Sequence, residues 1–377
     1  KDLLRILEDI KPEREWFLEK RINYDVSDEE AQKILLNDTE ESRVHALINH
    51  YKERYGLGLT NLGINFDVNS FFATDEPSFH KYAQWTIRKL RDKGLIVKTE
   101  SPRPYCPKCD DIKAIESDFS EVIPQGKVNL DDVRIQEDNL GEKVFKFVGG
   151  DFSCRIHKDQ KIVVKLSEEN SIDYGNIEYQ ERTLEMIKGI KIFPPKYRSE
   201  LEEIIRTRKA KPFERKSIGN IGVPSPISEG KKIEALADSN IYMEYYGIAL
   251  TLSKGIIKPE NLNDSLFDYL LLGTGDSKKV ARTSKLEEER LLELKQLMNE
   301  IYPIDMNISG TEHKDVHFPF SLFTHTAILP ENLFPREYLL TSHITLEGEK
   351  MSKSKGNVLY LDDIVKFVKE NAISGIS

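Results

Sequence analysis

Apolar residues recur at helical spacing in separate blocks, divided by glycine, proline and polar turns. Over 41–55, Val44, Leu47, Ile48 and Tyr51 follow the i, i+3, i+4, i+7 stripe of an amphipathic helix. Tyr55-Gly56-Leu57-Gly58-Leu59 predicts its break, and short extended pieces are expected at 65–68 and 71–74. A second helix is predicted over 77–93, with Phe79, Tyr82, Ala83, Ile87 and Leu90 on one face and Gly94 just past its end. A strand begins at Leu95-Ile96-Val97, and from 106 to 160 the pattern becomes short strands and turns rich in Gly and Asp. A buried strand is expected over 161–166. Helices follow at 176–188, 196–208 and 241–252, the last capped by Asp238-Ser239-Asn240, and at 285–301 with Leu286, Leu291, Leu294 and Leu297 inward. A strand over 304–309 ends at Gly310, an apolar helix occupies 319–329, and 339–346 forms the final strand. Strands alternating with helices predict an α/β fold whose parallel sheet is covered on both faces.

Composition narrows the class. The chain has 377 residues, 39% hydrophobic and 32% charged, enough for two or three domains with a large core. Its net charge of −9 argues against non-specific coating of nucleic acid, while the lysine- and arginine-rich stretch 188–216 leaves room for a local RNA contact. No stretch approaches the ~20 apolar residues of a membrane span, and the first residues lack a signal peptide's apolar core. The cytoplasm is the expected compartment. The first residue is not Met, so the numbering is expected to begin inside a longer protein.

Only three cysteines occur, and their spacing is informative. Cys106-Pro107-Lys108-Cys109 and Cys154-Arg155-Ile156-His157 together offer four donors, the full tetrahedral set of a structural Zn²⁺ site. Two other readings stand beside it: three unrelated thiols, and a C-x-x-C redox pair that leaves Cys154 and His157 as coincidence.

Two further constellations carry chemistry. Near the end, Glu349-Lys350-Met351-Ser352-Lys353-Ser354-Lys355-Gly356-Asn357 forms a cationic loop with hydroxyl donors. Lysine ammonium groups on flexible stems suit a polyphosphate whose charge shifts during reaction. At the end of the 304–309 strand, Gly310 allows close approach of a nucleotide and Glu312 can accept two hydrogen bonds from a ribose diol. His317 follows, where it could contact a base or phosphate, and His325 lies eight residues beyond it; His317 alone reads more readily as a satisfied structural histidine.

The lysine loop resembles the Lys-Met-Ser-Lys-Ser signature of class I aminoacyl-tRNA synthetases. Ser309-Gly310-Thr311-Glu312 with His317 and His325 resembles, without gaps, the Ser-Gly-x-Asp segment and its two histidines in leucyl-tRNA synthetases of the archaeal and eukaryotic-cytosolic type. Leu236-Ala237-Asp238-Ser239-Asn240-Ile241-Tyr242-Met243 with Tyr245-Tyr246 resembles the helix lining that family's amino-acid pocket. Ile172-Asp173-Tyr174-Gly175 matches its Phe-Ile-Asp-Tyr-Gly, and 79–98 its helix and strand before the first connective insertion. The likeness extends over roughly 45–110 and 161–365. It implies a Rossmann-like parallel-sheet catalytic domain with a small zinc-ribbon insertion. The expected parts are 1–105, leading into the connective insertion; 106–160, the zinc-binding insertion in place of an editing domain; 161–350, the second half of the catalytic domain; and 351–377, the lysine loop and the start of a stem-contact region.

The resemblance also implies roles: Lys350, Ser352, Lys353 and Ser354 catalytic, at the migrating pyrophosphate; Gly310, Glu312, His317, Met351 and Lys353 at ATP; Ser239, Tyr242 and His325 at the amino acid; Cys106, Cys109, Cys154 and His157 at the metal. Leucine and tRNA(Leu) are the implied substrates, with ATP, Mg²⁺ and a structural Zn²⁺. Several features depart from the family. No HIGH-type motif occurs, 110–160 is too short for an editing domain, Glu312 replaces Asp, and Asn170-Ser171 stand where the family has Trp. The chain is thus expected to be a fragment, one half of a split enzyme with a separate N-terminal or partner subunit, or a paralogue that does not edit. Two rival readings remain: a methionyl-type synthetase, and a non-catalytic synthetase-derived module that binds tRNA or a partner chain.

Overall fold

The computed structural model describes residues 28–37, 39–61, 63–64, 72–112, 122–125, 133–137, 143–147, 151–154, 157–216, 222–234, 237, 240, 242–342, 345–346, 348–351, 364 and 366–367. They fall into two compact units, one from residues up to Leu47 and Lys98–Asn170, the other from Ile48–Val97 and from Ser171 onward. The expected extended pieces at 65–68 and 71 lie outside the described residues.

The first unit holds helix α1 (Asp28–Leu35) and a set of strands: β1 (Ile96–Cys106), β2 (Asp111–Ile112), β3 (Val122–Gln125), β4 (Val133–Glu137), β5 (Lys143–Phe147), β6 (Asp151–Cys154) and β7 (Val163–Ile172). β1 lies between β2 and β7. β3 pairs antiparallel with β6 and β4 with β5. Among the described residues of the ribbon, Cys106, Phe152, Ser153, Cys154 and Ile162 are buried. The strand expected over 161–166 starts instead at Val163 and runs to Ile172. Its buried residues are the last four, while Val163 and Leu166 stand 44% and 46% exposed.

In the second unit, helix α2 (Glu40–Asn61) enters from the first and continues straight through Gly56 and Gly58, where a break is expected from sequence. Both glycines are buried, and the Thr60 hydroxyl donates to the Gly56 carbonyl at 2.9 Å, so the helical ladder bears the ~1 kcal/mol each glycine costs. Helix α3 (Pro77–Asp92) begins at proline and buries Phe79, Tyr82, Ala83, Trp85, Ile87 and Leu90. Its polar side is pinned by Arg88 on both Asp264 oxygens (2.8 and 2.6 Å) and by Lys89 on Asp268 (2.6 Å).

Helices α4 (Ile177–Gly189) and α5 (Tyr197–Thr207) flank strand β8 (Lys191–Phe193). The helix expected over 241–252 is instead a 3₁₀ turn, Met243–Tyr245, leading into α6 (Tyr246–Ser253), with no side-chain cap at either start. Asp238, Ser239 and Ile241 lie outside the described residues; Asn240 gives its amide to the Tyr174 hydroxyl at 2.9 Å. Helix α7 (Glu288–Ile301) turns Leu291, Leu294 and Met298 inward, and Leu297 is only half-buried. Met298 takes the inward place because Gly247 opposes it: a Cβ on Gly247 would meet its sulfur at 2.4 Å.

Strand β9 (Met306–Gly310), helix α8 (His317–Ile328) and strand β10 (Glu337–Thr341) complete a parallel sheet in the order β9-β10-β8. Ile308 faces Leu339, which faces Phe193, and Gly310 faces Thr341. Alternation places Ile192, Tyr338 and Leu340 on one face, where Leu184 and Ile187 of α4, Leu201 and Ile205 of α5, and Phe318 and Leu322 of α8 close over them. On the other face Met306, Ile308 and Phe193 are 48%, 64% and 61% exposed, so among the described residues the expected cover on both faces is absent. The final strand is divided. β10 stops at Thr341, and a separate hairpin, β11 (Thr345–Leu346) with β12 (Glu349–Lys350), turns at Gly348 with φ +84°. No described helix is long and apolar enough to cross a membrane.

Candidate active site and metal centre

Strand β1 ends on Cys106, and the turn to β2 brings the Cys109 N–H back to the Cys106 sulfur at 3.4 Å. Strand β6 ends on Cys154, and the same contact recurs there, with the His157 N–H on the Cys154 sulfur at 3.4 Å. The donor atoms of Cys106, Cys109, Cys154 and His157 all lie within 4.8 Å of one another. Cys109 Sγ is 3.6 Å from Cys154 Sγ, and His157 Nδ1 is 3.3 Å from Cys109 Sγ and 3.9 Å from both Cys106 Sγ and Cys154 Sγ. Zn–S bonds of ~2.3 Å and a Zn–N bond of ~2.1 Å would place tetrahedral donors ~3.6–3.8 Å apart. The set therefore fits a zinc ion with no position left open, and the cysteines are free thiols. Burial works to raise the Cys106 thiol, but the Cys109 N–H and the neighbouring His157, Cys109 and Cys154 side chains together bring it down to about 7. Such a thiol surrenders its proton to a metal easily.

In the second unit, Gly310 closes β9 at its carboxyl end, where ligands bind in parallel sheets. The Glu312 carboxylate folds back over Gly310, close enough that a Cβ there would meet Oε2 at 2.5 Å. The loop onward to α8 is tied to α5: Lys314 pairs with Glu200 at 3.1 Å and with Asp315 at 2.6 Å, and Arg208 donates to the Asp315 carbonyl. His317 opens α8, with its ring 6.1 Å from that of Tyr242 and 5.8 Å from that of His313. Burial, joined by the charges of His313 and His325, pushes His317 down to about 4. It is neutral at pH 7 and offers one donor and one acceptor. Tyr242 also stands 5.7 Å from the Tyr246 ring, which makes an aromatic wall beside the strand end.

Two turns further along α8, His325 is fully buried. Its Nδ1 meets the Ser321 carbonyl at 2.7 Å, and its Nε2 lies 2.5 Å from Glu244 Oε1 and 2.6 Å from the Tyr302 hydroxyl. The Tyr302 hydroxyl also donates to Glu244 Oε1 at 3.0 Å. Burial lowers His325, but the Glu244 charge and hydrogen bond and the Ser321 carbonyl outweigh it, and the net direction is upward. Tyr302 is held well above the usual phenol range, first by burial and then by Glu244.

The structure thus brings Gly310, Glu312, His317 and Tyr242 to one strand end and seats His325 in the interior behind them. Lys350 lies in the β11–β12 hairpin through its backbone, and Met351 follows it half-buried. Ser239, Ser352, Lys353 and Ser354 lie outside the described residues. Glu244 and Tyr302 were not expected from sequence. A signal existed at Glu244, a lone acid in the apolar run from Ile241 to Leu252; Tyr302 carried none.

The family model described as "tRNA synthetases class I (M)" matches residues 24–117. The leucine–tRNA ligase of Archaeoglobus fulgidus is 34% identical over 245 residues, 64% of this chain and 26% of the relative. That of Methanosarcina acetivorans is 37% identical over 194 residues, 52% and 20% respectively. That of Pyrococcus furiosus is 35% identical over 240 residues, 62% and 24%. The chain spans about a quarter of the length of these curated relatives. Among solved structures, a Mycobacterium tuberculosis methionyl-tRNA synthetase in complex with methionyl-adenylate aligns with a TM-score of 0.49 at 16% identity, over 86% of this chain and 49% of that one.

Proposed function

We propose that this chain, a relative of the archaeal leucine–tRNA ligases within the class I aminoacyl-tRNA synthetases, carries part of a leucine-activating site. The observation that carries the reading is the strand-end cluster of Gly310, Glu312, His317 and Tyr242, at the carboxyl end of a parallel sheet in a chain 34–37% identical to those ligases. In the proposed reaction the leucine carboxylate attacks the α-phosphate of ATP, pyrophosphate leaves, and the leucyl group passes from the adenylate to the terminal ribose of tRNA(Leu).

Catalysis of that kind is positioning and charge neutralisation around an in-line displacement. Glu312 and Gly310 would hold the ribose, the first through carboxylate–hydroxyl bonds and the second through the room its missing side chain leaves. Neutral His317 would hydrogen-bond on the adenine side. Tyr242, with Ser239, would border the leucine side chain, and His325 would act from behind. Lys350 and Lys353, helped by Ser352, Ser354 and Met351, would neutralise the departing pyrophosphate. Mg²⁺ would accompany ATP. The Cys106, Cys109, Cys154 and His157 set would hold a structural Zn²⁺, and its ribbon would take the place of an editing domain, so the proposed reaction has no editing step. The cytoplasm is the compartment this reading implies.

Titration of the chain with a non-hydrolysable leucyl-adenylate analogue, against its methionyl counterpart, tests the reading. Saturable binding of the leucyl analogue alone supports it, and preference for the methionyl analogue would shift it to a methionyl type. A second reading is a tRNA- or partner-binding module without catalysis. It predicts tRNA binding and no affinity for either analogue.

A further inference from the structure

Glu244 and His325 form a fully buried acid–base pair that no direct contact with a substrate explains. The geometry defines its proton. His325 Nδ1 faces the Ser321 carbonyl at 2.7 Å, so Nδ1 carries a hydrogen. Its Nε2 faces Glu244 Oε1 at 2.5 Å and the Tyr302 hydroxyl at 2.6 Å, a spacing that requires a further proton between ring and carboxylate. The other Glu244 oxygen is buried and has no hydrogen-bond partner among the described residues. Loss of the Oε1 contacts would therefore leave the whole carboxylate unpaired, a costly state in an apolar interior.

The elements joined by this pair are informative. Glu244 sits in the 3₁₀ turn immediately after Tyr242, and His325 lies two turns along α8 from His317. Tyr302 caps the end of α7, just ahead of β9. The same 3₁₀ turn is held to β9 by the Asn307 amide, 3.2 Å from the Met243 sulfur. The contacts thus lock three elements: the turn bearing Tyr242, the helix bearing His317 and the strand ending in Gly310.

We propose that the Glu244–His325 pair, closed by Tyr302, is a positioning strut that sets the spacing between the Tyr242 and His317 rings and thereby tunes recognition of the amino acid. The role rests on the leucine-activating reading above; the strut itself rests only on the contacts. Several titratable groups face the pair: Tyr82 from α3, Tyr302 at the end of α7, Tyr338 from β10, Tyr246 at the start of α6, and His317 at the start of α8. The tyrosines Tyr82, Tyr302 and Tyr338 are raised by burial first and then by the Glu244 charge, so they stay neutral and present dipoles. His317 is pushed down by burial and by its histidine neighbours, and it stays uncharged beside the pair.

Two readouts on the full chain separate the strut from the function. The first is ¹⁵N NMR of the histidine side chains from pH 5 to 8.5 in wild type and Glu244→Gln. The strut predicts one imidazolium signal that persists to higher pH than a free imidazole's in wild type, is lost in the variant, and shifts the His317 resonance as it goes. A His325 that titrates near 6.5 in wild type, or a His317 signal unmoved by the variant, overturns the proposal whether or not the chain activates leucine. The second is the dissociation constant of the leucyl-adenylate analogue for wild type, Glu244→Gln and Tyr302→Phe, with melting temperatures measured alongside. The strut predicts at least tenfold weaker binding in Glu244→Gln and several-fold weaker binding in Tyr302→Phe, which loses a single hydroxyl and so controls for misfolding. Unchanged affinity in both folded variants overturns it. Wild type that binds no analogue, with the NMR signature intact, refutes the leucine reading and leaves the strut standing.

Discussion

Replacement of Cys109 by serine addresses the ribbon directly. Its sulfur lies 3.3 Å from His157 Nδ1 and 3.6 Å from Cys154 Sγ, two edges of a donor set whose spacing is close to that of zinc ligands. Structural zinc sites contribute ~10–16 kcal/mol of apparent binding free energy, so one of four ligands is worth about 3 kcal/mol. That corresponds to roughly a hundredfold in zinc affinity. Because the ion binds the folded ribbon, free zinc at about a thousand times the dissociation constant adds ~4 kcal/mol to the unfolding free energy. Elemental analysis should find a single zinc per purified chain, and competition with a chromophoric chelator should show Cys109→Ser at least a hundredfold weaker. A chelator should lower the unfolding temperature of wild type much more than that of the variant. Wild type without stoichiometric zinc, or a variant that retains wild-type affinity, would refute the argument from donor spacing.

Other consequences are equally concrete. His317 is held at about 4, against ~6.5 unfolded, so the unfolded chain protonates first as pH falls, and stability is lost between pH 6.5 and 4 by ~3 kcal/mol in all. Urea unfolding at pH 7.0 and 4.5 should show wild type losing about 2–3 kcal/mol more than His317→Gln; equal losses would contradict the assignment. Gly310 has φ −69° and ψ 153°, which alanine adopts freely, and the atoms its new Cβ would meet first belong to the Glu312 carboxylate at the end of a flexible side chain. Gly310→Ala should therefore leave the melting temperature nearly unchanged yet raise the KM for ATP about tenfold, the ~1.4 kcal/mol expected for a displaced ribose contact; an unaltered KM would exclude Glu312 from the ribose. Lys353→Ala should slow adenylate formation by orders of magnitude at constant stability, as measured in single-turnover quench, and an unchanged rate would remove the lysine from the chemistry.

What could be read in advance follows physical range. Local signals worked: Pro77 and Gly94 bracket α3 closely, and the C-x-x-C and C-x-x-H spacings mark four side chains that converge. Ser309-Gly310 at a strand end was also legible, because a strand's carboxyl end is set by its own pattern. Readings that depend on what lies opposite went astray. Gly56 and Gly58 look like breakers until their burial is known, and the polar run before Tyr242 looks like a cap although Asn240 turns to Tyr174. The exposed Ile308 belongs to a strand that the alternation of strands and helices had set in a sheet covered on both faces. The Glu244–His325–Tyr302 contacts join residues far apart in sequence and leave no periodic trace.

The most direct test of leucine activation is ATP–pyrophosphate exchange on the purified chain, with each of the twenty amino acids offered separately. The account predicts leucine-dependent exchange that Gly310→Ala and Lys353→Ala both depress. Exchange with methionine and not leucine, or none with any amino acid from a folded, zinc-loaded chain, would contradict it.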